Sequence, residues 1–156
     1  MDYENTRRVL QAFEKAGVHY VVFGGVALNL LGLARATEDL DVFIAPTEEN
    51  VERVRTALGS VFADPALEEL SAEDLLGDYP AVQYVPPQGS FHLDLLTRLG
   101  EAFRFEDLES RRVDFDGLEV SVATPETLYR MKRDTVRLQD RADAERIRQR
   151  FGLEEA

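Results

Sequence analysis

The sequence predicts an α/β fold, in which a single domain builds a mixed β-sheet flanked by helices and ends in a helical segment at about residues 125–150. Short apolar runs typical of buried strands alternate with stretches of helical periodicity through the first half of the chain. A hairpin signal follows, because the Asp116-Gly117 dipeptide separates the strand-like runs RRVDF and LEVSVA. With 156 residues, 44% of them hydrophobic, the chain fits one domain spanning residues 1–156.

The first half of the chain reads as helix, strand, helix, strand, helix. Gly17 ends the first predicted helix. Thr47 is a candidate N-cap for the third, with Glu48 and Glu49 in the first turn, where the helix dipole favours negative charge. The predicted helices span residues 3–16, 26–33 and 47–58, and the predicted strands span residues 20–23 and 37–44.

The second half is predicted to combine strands with a long helical end. Helical turns are predicted at residues 71–76, strands at 81–85 and 90–97, and a hairpin at 111–123. Thr124 and Pro125 form a helix start, since Thr is a favoured N-cap and Pro a favoured first helical residue. Helical pattern then runs to about Arg150, with an interruption near Gln139 as an alternative.

Composition excludes several functional classes. The chain has no cysteine, so disulfides, thiolate nucleophiles and cysteine-ligated zinc are excluded. The first residues carry acids where a signal peptide would be positively charged, and we expect a cytoplasmic protein with no membrane partner. A net charge of −12 argues against sequence-blind adhesion to nucleic acid. A local basic cluster nevertheless lies near the C-terminus: Arg130, Lys132, Arg133, Arg137, Arg141, Arg146, Arg148 and Arg150.

Two aspartates interrupt the apolar run of the second predicted strand. Alternate residues of a strand face the same side, so Arg35, Thr37, Asp39 and Asp41 are expected to share one face. The two carboxylates would then lie about 7 Å apart and repel each other, with Arg35 compensating in part. A divalent cation with oxygen ligands would remove the conflict. The alternative is a half-buried strand whose acidic side meets water.

A third aspartate and a pair of glycines strengthen the hypothesis that these acids form a catalytic metal site. Asp94 lies in the strand-like run SFHLDLLT, two residues after His92 and on the same face. If the two acidic strands are neighbours, three carboxylates converge and can hold two metal ions about 4 Å apart, as in phosphoryl and nucleotidyl transfer. Gly24 and Gly25 end one strand and open a helix, which allows a phosphate to approach the backbone N–H groups closely.

The order strand, Gly-Gly, helix, R-x-T-x-D-x-D and a later strand aspartate resembles the polymerase-β-type nucleotidyltransferase superfamily. The segment PETLYRMKRDTVRLQDRADAERI is similar to that of bacterial AbiEii-type abortive-infection toxins. The resemblance covers roughly Val18 to Ile147. Gly25 stands where many superfamily members have Ser, which matches the Gly-Gly variant of this branch.

The resemblance implies a nucleoside triphosphate donor, two Mg²⁺ or Mn²⁺ ions, and transfer of a nucleoside monophosphate to a hydroxyl with loss of pyrophosphate. It implies catalytic roles for Asp39, Asp41, Asp94 and Lys132, the three aspartates being the metal ligands. The residues implied in nucleotide binding are Gly24, Gly25, Arg35, Thr37, Lys132, Arg137 and Asp140.

The sequence leaves the acceptor and the physiological role open. A tRNA end or other RNA is one acceptor, slightly favoured by the basic cluster, and would suit a toxin-type enzyme with an antitoxin-like partner. An aminoglycoside or lincosamide hydroxyl is another. The chain could instead be a catalytically inactive nucleotide- or partner-binding module, or an acidic α/β domain without catalysis. Asp140 has a structural alternative as the cap of a second C-terminal helix, with Asp143 in its first turn.

Overall fold

The computed structural model describes residues 1–76, 81–99, 103–133 and 138–154. Its helices are α1 (Tyr3–Ala16), α2 (Gly24–Leu30), α3 (Glu48–Val61), α4 (Ala72–Leu76), α5 (Pro125–Arg133) and α6 (Leu138–Phe151). Its strands are β1 (Tyr20–Phe23), β2 (Asp39–Ile44), β3 (Ala81–Tyr84), β4 (His92–Leu96), β5 (Arg98–Leu99), β6 (Phe103–Arg104), β7 (Ser110–Phe115) and β8 (Leu118–Ala123). Short 3₁₀ helices span Pro65–Glu69 and Phe105–Asp107.

The strands form a mixed sheet, which confirms the predicted fold class. Six described strands pair in the order β3-β4-β2-β1-β8-β7. The β2–β4 and β1–β8 pairs are parallel, and the β3–β4, β1–β2 and β7–β8 pairs are antiparallel. β5 and β6 form a separate two-stranded ribbon that the sequence did not predict.

The acidic strands combine a polar face with a fully buried apolar face. In β2, Leu40 and Val42 are 0% exposed, and in β4 Leu93 and Leu95 are 0% exposed. Because successive strand residues face opposite sides, the aspartates between them are directed to the other face of the sheet. The core therefore fixes the orientation of the acids.

Local sequence signals account for several element ends. Gly17 adopts the left-handed conformation at φ 72° and ends α1. The β7–β8 turn places Asp116 at φ 54° and Gly117 at φ 86°, as a two-residue hairpin turn with two positive φ angles requires. At α3, the Thr47 hydroxyl accepts from the backbone N–H of Asn50 at 3.1 Å, which confirms the predicted cap.

Two elements differ from their predicted bounds in the region before β2. α2 begins at Gly24 instead of residue 26, and β2 begins at Asp39 instead of residue 37. Between these two elements, the Asn29 side chain accepts from the Arg35 backbone N–H at 2.8 Å and donates to its carbonyl at 2.9 Å. Residue 35 is thereby tied to the end of α2 and is not part of the strand, so its predicted alignment with the aspartates is wrong.

The described residues 125–133 and 138–151 are helical, as predicted. Pro125 begins α5, and Thr124 accepts from the Thr127 backbone N–H at 3.3 Å as its cap. α5 ends at Arg133 and α6 begins at Leu138, so the predicted interruption near Gln139 falls next to residues 134–137, which lie outside the described residues. Among the described residues, no helix is long and apolar enough to cross a bilayer.

Candidate active site

Asp41 and Asp94 lie side by side on the two parallel strands. In the β2–β4 register, Asp41 is opposite Asp94 and Asp39 is opposite His92. The prediction that these acidic strands are neighbours is confirmed. The side chains of Asp41 and Asp94 lie close enough to share a proton in a hydrogen bond.

This contact shifts the protonation of Asp41. Burial of the carboxyl group, together with the hydrogen bond and the negative charge of Asp94, raises the pKa of Asp41 from 3.8 to about 8. The charge of Asp39 acts in the same direction, and the charge of Lys132 opposes it. At neutral pH and without a cation, the pair therefore retains a proton that ordinary carboxyl groups would have lost.

Asp39 faces a different neighbour. Its Oδ1 lies 3.3 Å from His92 Nδ1, and the two side chains are 41% and 39% exposed. Asp39 is therefore more open to water than Asp41, and it does not line the cavity in front of the carboxyl pair. The structure brings the three acids to one end of the β2–β4 pair but couples Asp41 most tightly to Asp94.

A cavity of about 530 Å³ opens in front of the carboxyl pair. Five predicted site residues line this active-site cavity: Gly24, Asp41, Asp94, Lys132 and Asp140. Gly25, Arg35 and Thr37 lie outside its lining. Apolar side chains from β3, β4, β5 and α5 form much of the remaining wall, including Val82, Leu96, Leu99, Leu128 and Met131.

Gln83 is a site residue that the sequence interpretation missed. It is opposite Asp94 in the β3–β4 pair, lines the active-site cavity and donates from Nε2 to Asp94 Oδ1 at 3.1 Å. The available signal was an amide between Val82 and Tyr84 in a short apolar strand. That signal has no meaning until β3 is known to pair with β4.

Lys132 is held by acids from α6. Its Nζ lies 3.2 Å from Asp140 Oδ1 and 3.1 Å from Asp143 Oδ2. The Arg35 guanidinium contacts the same Asp143 oxygen at 3.2 Å. The Asp143 side chain is 0% exposed, and that of Lys132 is 13% exposed. This network fixes the ammonium group at the cavity wall.

The network corrects three sequence interpretations. Arg35 neutralises Asp143 and is not seen to compensate Asp39 or Asp41. Asp140 is the third residue of α6 and is not its cap. Asp143 lies beyond the first turn and is a buried ion-pair partner, which no local pattern indicated. Arg137 lies outside the described residues.

Gly24 and Gly25 must lack a side chain because the side chains of Asp41 and Thr37 approach their Cα atoms closely. A Cβ atom on Gly24, whose φ is +70°, would lie 2.2 Å from Asp41 Oδ2. A Cβ atom on Gly25 would lie 2.6 Å from the Thr37 Cβ. A serine at residue 25 would therefore clash with Thr37, which explains why this chain has the Gly-Gly variant.

The donor chemistry fits a hard divalent cation, although the metal-free geometry is not a closed site. Among residues 1–76, 81–99, 103–133 and 138–154, no three Asp, Glu, His or Cys side chains form a ready cluster around one point. Asp41 and Asp94 nevertheless offer adjacent carboxylate oxygens, the ligands that Mg²⁺ takes. Burial first, and then the nearby Asp94 and Asp39 charges, raise the pKa of Asp41, and a bound cation would favour its ionised form.

Structural comparison shows that the fold is similar to that of several nucleotidyltransferases of known structure. ANT(2″)-Ia in complex with adenylyl-2″-tobramycin has 13% identity and a TM-score of 0.58, covering 93% of this chain and 86% of that chain. The lincomycin-bound lincosamide antibiotic adenylyltransferase LnuA has 13% identity and a TM-score of 0.59, with coverage of 95% and 96%. A putative nucleotidyltransferase from Thermotoga maritima has 16% identity and a TM-score of 0.56, with coverage of 96% and 91%.

The chain belongs to the AbiEii family. The matching family model is described as "Nucleotidyl transferase AbiEii toxin, Type IV TA system" and covers residues 8–151. No curated protein matches the chain. Family membership supports nucleotidyl transfer as the activity and associates the chain with toxin–antitoxin systems.

Proposed function

We propose that the protein is a metal-dependent enzyme that transfers a nucleoside monophosphate from a nucleoside triphosphate to a hydroxyl group of RNA. The observation that carries this proposal is the contact between Asp41 and Asp94 beside Lys132 in one cavity. A cavity of about 530 Å³ lies within the range of small-ligand sites, about 300–1,000 Å³. We further propose a cytoplasmic protein with a single domain over residues 1–156.

Asp41, Asp94 and Asp39 would hold Mg²⁺ or Mn²⁺, with two ions as the expected complement. When bound, the ions supply positive charge that stabilises the attacking and leaving oxygens. Asp41 is the central ligand, because it lies against Asp94 and the charge of Asp39 also raises its pKa. Rotation of the Asp39 carboxylate away from His92 would bring it toward the pair, since its side chain is 41% exposed.

Asp94 is the proposed proton acceptor. In the reaction, the acceptor hydroxyl oxygen bonds to the α-phosphorus, the α–β phosphoanhydride bond breaks, and pyrophosphate leaves with the bonding electrons. The hydroxyl proton passes to Asp94. Its carboxylate is oriented for this task because Gln83 donates to Oδ1 at 3.1 Å.

Lys132 is proposed to neutralise the triphosphate. Its ammonium lines the cavity, and the Asp140 and Asp143 carboxylates hold it in place. Asp140 also lines the cavity and is proposed to contact the nucleotide. Gly24 and Gly25 would present their backbone to phosphate, supported by Thr37. Nucleotide roles for Arg35 and Arg137 rest on the family resemblance, and Arg35 would act through Asp143.

RNA, including tRNA, is the proposed acceptor, and an antitoxin-like protein is the proposed partner, because the family is described as a toxin of type IV systems. An antibiotic hydroxyl is a second candidate acceptor. It is favoured by the likeness to a protein solved with adenylyl-2″-tobramycin and to a lincosamide adenylyltransferase.

The decisive experiment incubates the protein with each α-labelled nucleoside triphosphate, Mg²⁺ and either total RNA or an aminoglycoside and a lincosamide. We expect label in RNA with the wild type and none with Asp41→Asn. Asp107→Asn is the matched control, since this exposed aspartate lies in the Phe105–Asp107 3₁₀ helix outside the cavity lining. If only an antibiotic is labelled, the proposed acceptor changes from RNA to an antibiotic hydroxyl. If no acceptor is labelled, the proposed transferase activity is rejected.

A further inference from the structure

The β5–β6 ribbon holds two arginines directly opposite each other. Arg98 pairs with Arg104, and Leu99 pairs with Phe103. Opposite residues of an antiparallel pair project to the same face, so the two guanidinium groups share one side of the ribbon. Both arginines are exposed, and neither forms an ion pair or hydrogen bond within the described parts of the chain. Like charges in this arrangement destabilise a ribbon unless an anion lies between them.

The two arginines line a cleft that also contains an aromatic ring. This arginine cleft has a volume of about 310 Å³, and its lining includes Arg98, Arg104, Phe105, Leu76, Pro46 and Glu106. Leu76 is 41% exposed, and the Phe105 ring is partly exposed. Guanidinium groups beside an aromatic ring suit single-stranded nucleic acid, whose phosphates pair with cations and whose bases stack on rings.

The cleft adjoins the proposed active site through β5. Leu99 lines the active-site cavity, whereas its neighbour Arg98 lines the arginine cleft. Arg98 follows Asp94 by four residues, a path of at most about 13 Å along an extended chain. A strand bound in the cleft would therefore have its end within reach of the carboxyl pair.

We propose that Arg98 and Arg104 bind a backbone phosphate of a single-stranded acceptor RNA near its reacting end, while Phe105 stacks on a base. The proposal rests on the proposed function, since it assumes an RNA acceptor. In a chain with a net charge of −12, a paired cationic site compensates locally for the repulsion of a polyanion. Glu106 lies in the same cleft and limits binding to strands that place a phosphate between the arginines.

The first test measures binding of a fluorescein-labelled single-stranded oligoribonucleotide by anisotropy at several salt concentrations, without any nucleoside triphosphate. Each phosphate contact contributes about 0.7 to the slope of log K against log salt for a single strand. Because both arginines bind the same phosphate, the double variant Arg98→Ala/Arg104→Ala should lower this slope by about 0.7, and Arg98→Ala and Arg104→Ala should each lower it by part of that amount. Arg98→Lys retains the charge and should retain the slope. Arg111→Ala is the matched control, because Arg111 is exposed in β7 at the opposite edge of the sheet.

Phe105→Leu tests the stacking contact separately. It should weaken binding about fivefold or more without changing the salt slope, because base–aromatic stacking is not ionic. Circular dichroism of each variant verifies the fold. If Arg98→Ala and Arg104→Ala behave like Arg111→Ala, the proposal is overturned. It is also overturned if inorganic phosphate competes as well as the oligonucleotide does, since the arginines would then be a free-anion site.

Binding and transfer can fail independently. Loss of RNA affinity in the arginine variants, with no transfer by the wild type, would support the cleft and reject the proposed function. Transfer to RNA that is unchanged in the arginine variants, with unchanged affinity, would support the proposed function and overturn the cleft.

Discussion

Asp41 couples the stability of the metal-free protein to pH. Its folded-state pKa is raised from 3.8 to about 8, so between these values the unfolded chain releases a proton that the folded chain retains. The folded state then binds more protons, and the stability contributed by this group falls as pH rises through the window. Asp41→Asn should remove this loss and make the variant more stable than the wild type above the window.

Urea denaturation with a chelator present, near pH 5 and near pH 8.5, measures the difference between the two proteins. Asp107→Asn should follow the wild type, because its exposed carboxylate lies outside this contact. A pH dependence that is identical in Asp41→Asn and the wild type would show that the carboxyl pair is not coupled.

Metal binding should stabilise the folded protein through the same pair. Mg²⁺ or Mn²⁺ at a hundredfold excess over its Kd would add about 2.7 kcal/mol of stability for one site. Differential scanning fluorimetry should show a concentration-dependent rise in Tm for the wild type and a much smaller rise for Asp41→Asn. NaCl at matched ionic strength is the control for screening. An equal response to NaCl and MgCl₂ would argue against a specific ion.

Lys132 serves the fold as well as the proposed chemistry. Its ammonium contacts the fully buried Asp143 carboxylate, so Lys132→Ala would leave that charge with Arg35 as its described partner. We expect a loss of about 1–3 kcal/mol in the free energy of unfolding, measured with urea. Lys15→Ala is the control, because Lys15 is exposed on α1. Equal stability of the two variants would mean that the ion pair contributes nothing.

At the scale of elements, the sequence predicts those strands, turns and helix caps that depend on local residue patterns. The β2 and β4 strands, the β7–β8 hairpin and the caps at Thr47 and Thr124 follow from such local patterns. The partner of Arg35 could not be predicted, because the pairing with Asp143 spans residues far apart in the chain. The two-residue strands β5 and β6 are too short to show a period.

The helix that follows β1 depends on the absence of a side chain at residue 25. Gly25→Ala would bring a Cβ to 2.6 Å from that of Thr37 and should cost about 1–3 kcal/mol by overpacking. Gly59→Ala in α3 is the matched control, since nothing lies within 4 Å of its added Cβ. That variant should gain up to about 1 kcal/mol from reduced chain entropy. Chemical denaturation of both variants tests the prediction, which fails if Gly25→Ala is as stable as the wild type.

At the scale of the whole molecule, the C-terminal basic cluster is partly engaged in internal contacts. Arg148 contacts Glu145 at 2.5 Å, and Arg146 donates to the Ala34 carbonyl at 3.0 Å. Lys132 is held by its acidic partners. The number of arginines in a segment therefore overstates the charge available to a nucleic acid, and the sequence alone could not identify which arginines remain available.

The parallel β1–β8 pair, which meets at Val22 opposite Val122, joins residues 100 positions apart in the chain. Val122 is 0% exposed, and Val122→Ala should cost about 1–3 kcal/mol. Closing so long a loop is entropically costly, so we expect the β1–β8 pair to form after the folding transition state. Stopped-flow kinetics should then show faster unfolding with little change in refolding, whereas Val42→Ala in β2 should slow refolding. Slowed refolding of Val122→Ala would contradict this order.

Late pairing of β1 with β8 also affects the chain while it is being synthesised. β1, β2 and β4 precede β8, so the strands that carry the acids can pair before the ribosome has released the hairpin that covers β1. Until β8 docks, the open edge of β1 exposes unpaired backbone groups to other nascent chains. We therefore expect aggregation and proteolysis to be most frequent in the interval between these two events.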